Sequence, residues 1–141
     1  MLDEDLKGQD KWRSREMVES FRELKVYQKA YKYSLEIHKK SKSFPQHEQT
    51  EIGSQIRRAS KSISLNIAEG FGKQSSMAEF KRFLMIARGS CDEVRVELDY
   101  CKDLGYISEE EHSYFEQGYI EIGKMLTSMV KKWQYPTAVK S

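Results

Sequence analysis

At 141 residues and 38% hydrophobic content, the chain is the size of one domain and long enough to bury a core without disulfide or metal staples. Its 24 basic and 22 acidic residues leave a net charge of +2, which argues neither for nor against nucleic acid, so the distribution of charge is more informative than the sum. No apolar run approaches the roughly 18 residues of a membrane span, and the N-terminal MLDEDLKGQDKW lacks the apolar stretch of a secretory signal, so the sequence points to the cytoplasm.

Charge is unevenly placed. Residues 1–20 carry a net −2, residues 21–56 +3, residues 57–95 +4 and residues 96–141 −3. A basic middle between acidic ends fits an anion-binding face, and equally fits ordinary solvated helix faces.

Residues 1–20 are charged and weakly periodic, and are expected to form an N-terminal arm, flexible or a frayed helix. A first helix is predicted from about Leu24 to Lys40. Tyr27, Tyr31, Leu35 and His38 make one stripe, and Val26, Ala30, Tyr33 and Ile37 a second beside it, so the apolar face is wide. Pro45 disfavours helix at Phe44 and ends it. A second helix is predicted from near Gln46 to about Glu69. Its segment SISLNIAEGFGK alternates like a strand at Ile63, Leu65 and Ile67. Yet Ile52, Ala59 and Asn66, and likewise Ile56, Ile63 and Gly70, recur at seven-residue spacing over a longer stretch, so helix prevails.

Asn66 then falls on the inner stripe with Ser60 and Ser64 beside it. Asn66 and Glu69 are expected to tie the corner between the second and third helices, because buried polar groups need partners. Gly70 and Gly72 are read as the left-handed helix end. The third helix starts at Ser76, where Ser76-x-x-Glu79 reads as a capping box, and runs to near Gly105. Its stripe is Phe80, Phe83, Leu84, Ala87, Cys91, Val94, Leu98 and Cys101. The fourth starts at Ser108, with Glu111 completing a second box. Tyr114, Phe115, Ile122, Met125, Leu126, Met129, Val130 and Trp133 line it until Pro136 stops it. The expected fold is all-α: an up-down-up-down four-helix bundle over residues 21–135, with residues 136–141 as a C-terminal tail.

Sites that would carry chemistry are sparse. Glu109-x-x-His112 matches half of a di-iron bundle motif, without a second copy, and His38 and His47 lack the spacing, so no metal is expected. Cys91 and Cys101, on apolar stripes about 15 Å apart along one helix, are too distant for a disulfide and read as free buried thiols of a reducing compartment. No cofactor motif is present. The turn GFGKQSS, with Gly70, Gly72, Lys73, Ser75 and Ser76, reads either as an anion site of free amides beside a lysine or as a glycine cap followed by a serine cap. Arg57, Arg58, Lys61, Lys73, Lys81, Arg82 and Arg88 form the candidate nucleic-acid set. Arg57, Arg58 and Lys61 are assigned to the outer side of the second helix.

The segments FRELKVYQKAY, QIRRASKSISLNIAEGFGK, EFKRFLMIARGSCDEVRVELDY and LGYI together resemble the bacterial four-helix-bundle proteins encoded in intervening sequences of large-subunit rRNA genes. NIAEG after QIRRA, and Ala87, Gly89, Ser90 and Glu93 in the next helix, carry it most specifically, and it spans Phe21 to Trp133. The resemblance implies a ring-like homopentamer without enzymatic activity. More remotely the chain is similar to the accessory variability protein of retroelements, a basic pentamer that binds a reverse transcriptase and RNA. The resulting expectation is a non-enzymatic homo-oligomeric scaffold or adaptor that binds RNA, DNA or a reverse-transcriptase-like protein through a basic face. A protein-only interaction module is the alternative, and a small hydrolase the third reading.

Overall fold

The computed structural model describes residues 19–140, with side chains as far as Lys132. The arm expected over residues 1–20 therefore lies outside the described residues except for Glu19 and Ser20, as does the side chain of Trp133. A short 3-10 turn, Phe21–Glu23, leads into α1, Lys25–Ser41. A second turn, Gln46–Glu48, precedes α2, Ile52–Phe71. Then come α3, Met77–Asp103, and α4, Glu109–Lys140.

Sequential helices pack on one another, and α1 closes the bundle against α4. The cross-helix pairs fix the directions. Ser34 meets Ser60 while Ser41 meets Arg57; Ser62 meets Ser90; Asp99 meets His112 while Arg95 meets Glu116; Lys29 meets Glu121 while Lys40 meets Glu111. Where two pairs join the same helices, one number rises as its partner falls, so those neighbours run antiparallel.

The core is one cluster. α1 supplies Val26, Ala30, Tyr33 and Ile37, α2 supplies Ile56, Ala59, Ile63 and Ile67, α3 supplies Phe80, Leu84, Ala87, Cys91, Val94 and Leu98, and α4 supplies Phe115, Tyr119, Ile122 and Leu126. The ambiguity of SISLNIAEGFGK resolves as helix: Ile63 and Ile67 are fully buried, whereas Leu65, the middle member of the strand-like alternation, is 60% exposed.

Three expectations are corrected. The second helix begins at Ile52, not near Gln46. Gln49 holds the intervening loop instead, its Nε2 donating to the carbonyls of Ser41 and Phe44 at 2.9 Å each, which satisfies acceptors at the end of α1. Gly70 does not end α2 in a left-handed conformation. It sits within the helix, and the cap residue Gly72 has an ordinary φ of −68°. Gly70 is there for space: a Cβ on it would lie 2.9 Å from the Cβ of Phe83, so its absence lets α2 approach α3. The positive φ among the described residues is at Gly105, +83°, in the turn after α3. Finally, α4 continues through Pro136 to Lys140, so the tail expected over 136–141 is helical as far as Lys140. Proline's fixed φ is compatible with a helix, and the lost hydrogen bond and crowding against the carbonyl four residues before it disfavour a helix there without always ending it.

Candidate functional site

Helix α3 carries apolar residues on two opposite sides. Phe80, Leu84, Ala87, Cys91, Val94, Leu98 and Cys101 face the core. About half a turn away, Met85, Ile86, Val96 and Tyr100 face solvent, and Leu104 continues the row past the helix end. Met85, Gly89, Val96 and Tyr100 are spaced four, seven and four apart, the interval that keeps side chains on one line of a helix. A Cβ on Gly89 would meet nothing within 4 Å, so this position is a flat place in the row. On α1, Tyr31 and Leu35 are also exposed, and Tyr31 stacks on Tyr27 with ring centroids 5.8 Å apart. Of the two α1 stripes, the core takes Val26, Ala30, Tyr33 and Ile37, while Tyr27, Tyr31, Leu35 and His38 lie outside it or half-buried.

The seven basic candidates do not share one face. Arg57 is not on the outer side of α2. It turns toward α1, where Nη1 donates to Ser41 Oγ at 2.9 Å and Nη2 to the Gln49 carbonyl at 2.8 Å, and so it fastens the α1–α2 loop. Arg58 and Lys61 are exposed on α2, and Lys73 is exposed in the following turn. Arg82 is exposed but held, donating to Glu79 at 3.1 Å with its guanidinium 4.5 Å from the Phe83 ring centroid. Arg88 lines the groove between α3 and α4 with Arg95 and Lys124, at the other edge of α3, and Lys81 is half-buried. Arg57, Lys61 and Lys42 are close enough to His38 to add to the effect of burial, which comes first, in holding its imidazole below the ordinary histidine range.

The polar motif at the α2–α3 seam differs from expectation. Asn66 is half-buried and bonds to the preceding turn of its own helix: its Nδ2 donates to the Ser62 carbonyl at 2.8 Å and to Ser62 Oγ at 3.1 Å. The bond across the seam is made by Ser62 and Ser90, whose hydroxyls are 2.9 Å apart. Glu69 is exposed. Since a helix residue lies beside the residue four before it, a polar side chain can be satisfied without reaching another element. In the GFGKQSS turn the amides of Lys73, Gln74 and Ser76 donate to Gly70, Phe71 and Lys73 carbonyls, and the Glu79 amide to Ser76 Oγ at 3.3 Å. The serine half of the capping reading is therefore met, the left-handed glycine half is not, and three amides of the turn are already engaged by carbonyls. The Glu79 carboxylate goes to Arg82, so only half of that capping box forms. The Ser108–Glu111 box is complete, at 3.0 and 2.8 Å.

The sequence profile described as 23S rRNA-intervening sequence protein matches residues 22–128. The chain belongs to that family. No functionally curated protein matches it. A solved structure of a protein of unknown function from the S23 ribosomal protein family of Bacteroides thetaiotaomicron is similar, with 27% identity over 75% of this chain and 98% of that one and a TM-score of 0.67. The family segment takes in α1, α2, α3 and most of α4, and hence both the outer row of α3 and all seven basic candidates.

Neither cysteine of this family member is set up as a nucleophile. Cys91 and Cys101 are buried and free, and burial pushes both thiols up to about 12, so neither is a thiolate at neutral pH. Among the described residues, no helix is long and apolar enough to cross a membrane. Sequence reasoning passed over two features. The outer row of α3 follows a 4-7-4 spacing that is present in the sequence, but the stronger inner stripe masks it. The pair of Asp99 Oδ1 and His112 Nε2, 2.8 Å apart, joins two helices and has no local signature.

Proposed function

We propose that this protein is a non-enzymatic, self-associating scaffold of the cytoplasm, a ring-like homopentamer in which the outer row of α3 is covered by a neighbouring subunit. The observation that carries this reading is the row itself. Met85, Ile86, Val96 and Tyr100 line one solvent-facing side of a helix whose opposite side already fills the core. Isolated exposed apolar residues are ordinary, but an aligned set is a surface that association removes from water. The buried free thiols support a reducing compartment. The test is the mass in solution by light scattering at micromolar concentration. The reading expects a multiple of the 16.6 kDa protomer, five in the ring form, and is overturned by 16.6 kDa.

A second reading, RNA binding by the assembled scaffold, is favoured by the exposure of Arg58, Lys61, Lys73, Arg82 and Arg88. Cations on separate edges of one protomer would repeat around a ring, where weak phosphate contacts add through multivalency. Such binding is tolerant of sequence and falls steeply with salt. Replacing Arg58, Lys61 and Arg88 with Ala is expected to weaken RNA binding and flatten its salt dependence. Arg57 is left intact because it fastens the α1–α2 loop. Absence of binding at low salt by the intact protein leaves the protein-only scaffold.

A further inference from the structure

We propose that Asp99, His112 and Glu116 form a binding site for a divalent transition ion of the zinc class at the seam of α3 and α4. His112 and Glu116 are one helical turn apart on α4, so they project from the same side. The antiparallel packing of α3 brings Asp99 to them, and one ligand atom from each residue lies within 4.8 Å of the other two. The closest pair, His112 Nε2 and Asp99 Oδ1, is 2.8 Å apart. Zinc bonds of about 2.0–2.2 Å put neighbouring ligand atoms a little over 3 Å apart, so the 2.8 Å pair would open slightly and the wider contacts, at up to 4.8 Å, would close by about an ångström, which side-chain rotation supplies without moving the helices.

Three features prepare the site. The complete Ser108–Glu111 box fixes the first turn of α4 on which His112 stands, and Lys40 holds Glu111 from α1 at 2.9 Å. Arg95 grips one oxygen of Glu116, with Nε and Nη2 at 3.2 and 3.0 Å from Oε2, as outer partners orient ligating carboxylates. The other oxygen, Oε1, is buried without a hydrogen-bond partner among the described residues. That oxygen keeps its lone pairs free for a cation, while its partner oxygen is held by Arg95. Arg95 is also the feature that opposes the ion. With neutral His112, however, two carboxylates against one guanidinium leave the cluster net negative. One imidazole and two carboxylates suit zinc, cobalt or manganese rather than a thiolate-loving ion, and leave a coordination position for water.

The inference is independent of self-association and of RNA. The test uses the full chain, stripped with chelator and titrated with Co²⁺ and then Zn²⁺. The expected result is about one ion per chain, a visible Co²⁺ spectrum displaced by Zn²⁺, and a melting temperature raised by the ion. Asp99→Asn and His112→Gln are each expected to weaken binding about tenfold or more. His47→Gln, at a surface histidine in the α1–α2 loop, is expected to leave it unchanged. Asp99 is exposed, so Asn there tests the site without disturbing the core, and circular dichroism checks that the fold persists. No saturable binding at micromolar ion, or binding unaltered by Asp99→Asn and His112→Gln, overturns the proposal.

Discussion

Leu84 and Met85 are neighbours in sequence and stand on opposite sides of α3. Leu84 has no exposed surface, while Met85 is 49% exposed. The two sides carry similar residues, yet only one has partners in the protomer, α2 and α4. Burial, not residue type, supplies the free energy, at roughly 25 cal/mol per Å² removed from water. The inner side therefore holds the protomer together whatever its concentration. The outer side contributes only when another surface covers it.

Substitutions can separate the two sides. Leu84→Ala should cost about 2–5 kcal/mol of folding free energy, from lost burial and the cavity left behind. Met85→Ala should change protomer stability by less than about 0.5 kcal/mol and act on assembly instead. Denaturant unfolding of both at equal protomer concentration checks the contrast, and equal costs would erase it. The seam of α2 and α3 on the inner side offers the converse experiment. Gly70→Ala places a Cβ against Phe83 and should cost about 1–3 kcal/mol by overpacking. Gly89→Ala, with open space around it, should be neutral or stabilising in a melt.

Arginines sharpen the comparison further. Arg57→Ala strips the Gln49 carbonyl and Ser41 hydroxyl of their donors and should cost about 1–3 kcal/mol. Arg58→Ala, exposed on the next position, should stay within about 0.5 kcal/mol of the parent. The smallest expected effect is a pH dependence at His38. Burial, then Arg57, Lys61 and Lys42, lower its folded pKa, so the unfolded chain takes up a proton first as pH falls through the ordinary histidine range. Stability should therefore decline on acidification below about pH 6.5, and His38→Gln should shallow that decline in melts across pH 5 to 8.

The bundle was legible because its inner stripes recur at helical spacing over many turns. The seven-residue rows of α2 outweighed the short alternation around Leu65 for the same reason. What spacing alone does not settle is which of two stripes faces inward. On α1, Tyr27, Tyr31, Leu35 and His38 fit a helix as well as Val26, Ala30, Tyr33 and Ile37, and only the positions of α2 and α4 select the second set. Gly70 reads as a terminator because glycine has that local habit. Its use here is tertiary, set by Phe83 on another helix. Arg57 reads as a surface cation because its partners, Ser41 and the Gln49 carbonyl, belong to a loop whose path the sequence leaves open. Asn66 was expected to reach across a corner, yet Ser62, one turn away on its own helix, already meets its needs.

The central claim, that the outer side of α3 is a subunit surface, is tested most directly by the solution mass of a Val96→Lys, Tyr100→Lys double variant beside the parent. Both positions are exposed, and lysine is a good helix former, so the protomer should keep its helical spectrum. The account predicts a parent mass that is a multiple of 16.6 kDa and a variant at 16.6 kDa, since two charges would have to be buried for the contact to survive. A monomeric parent, or a folded variant with the parent's oligomeric mass, would contradict it.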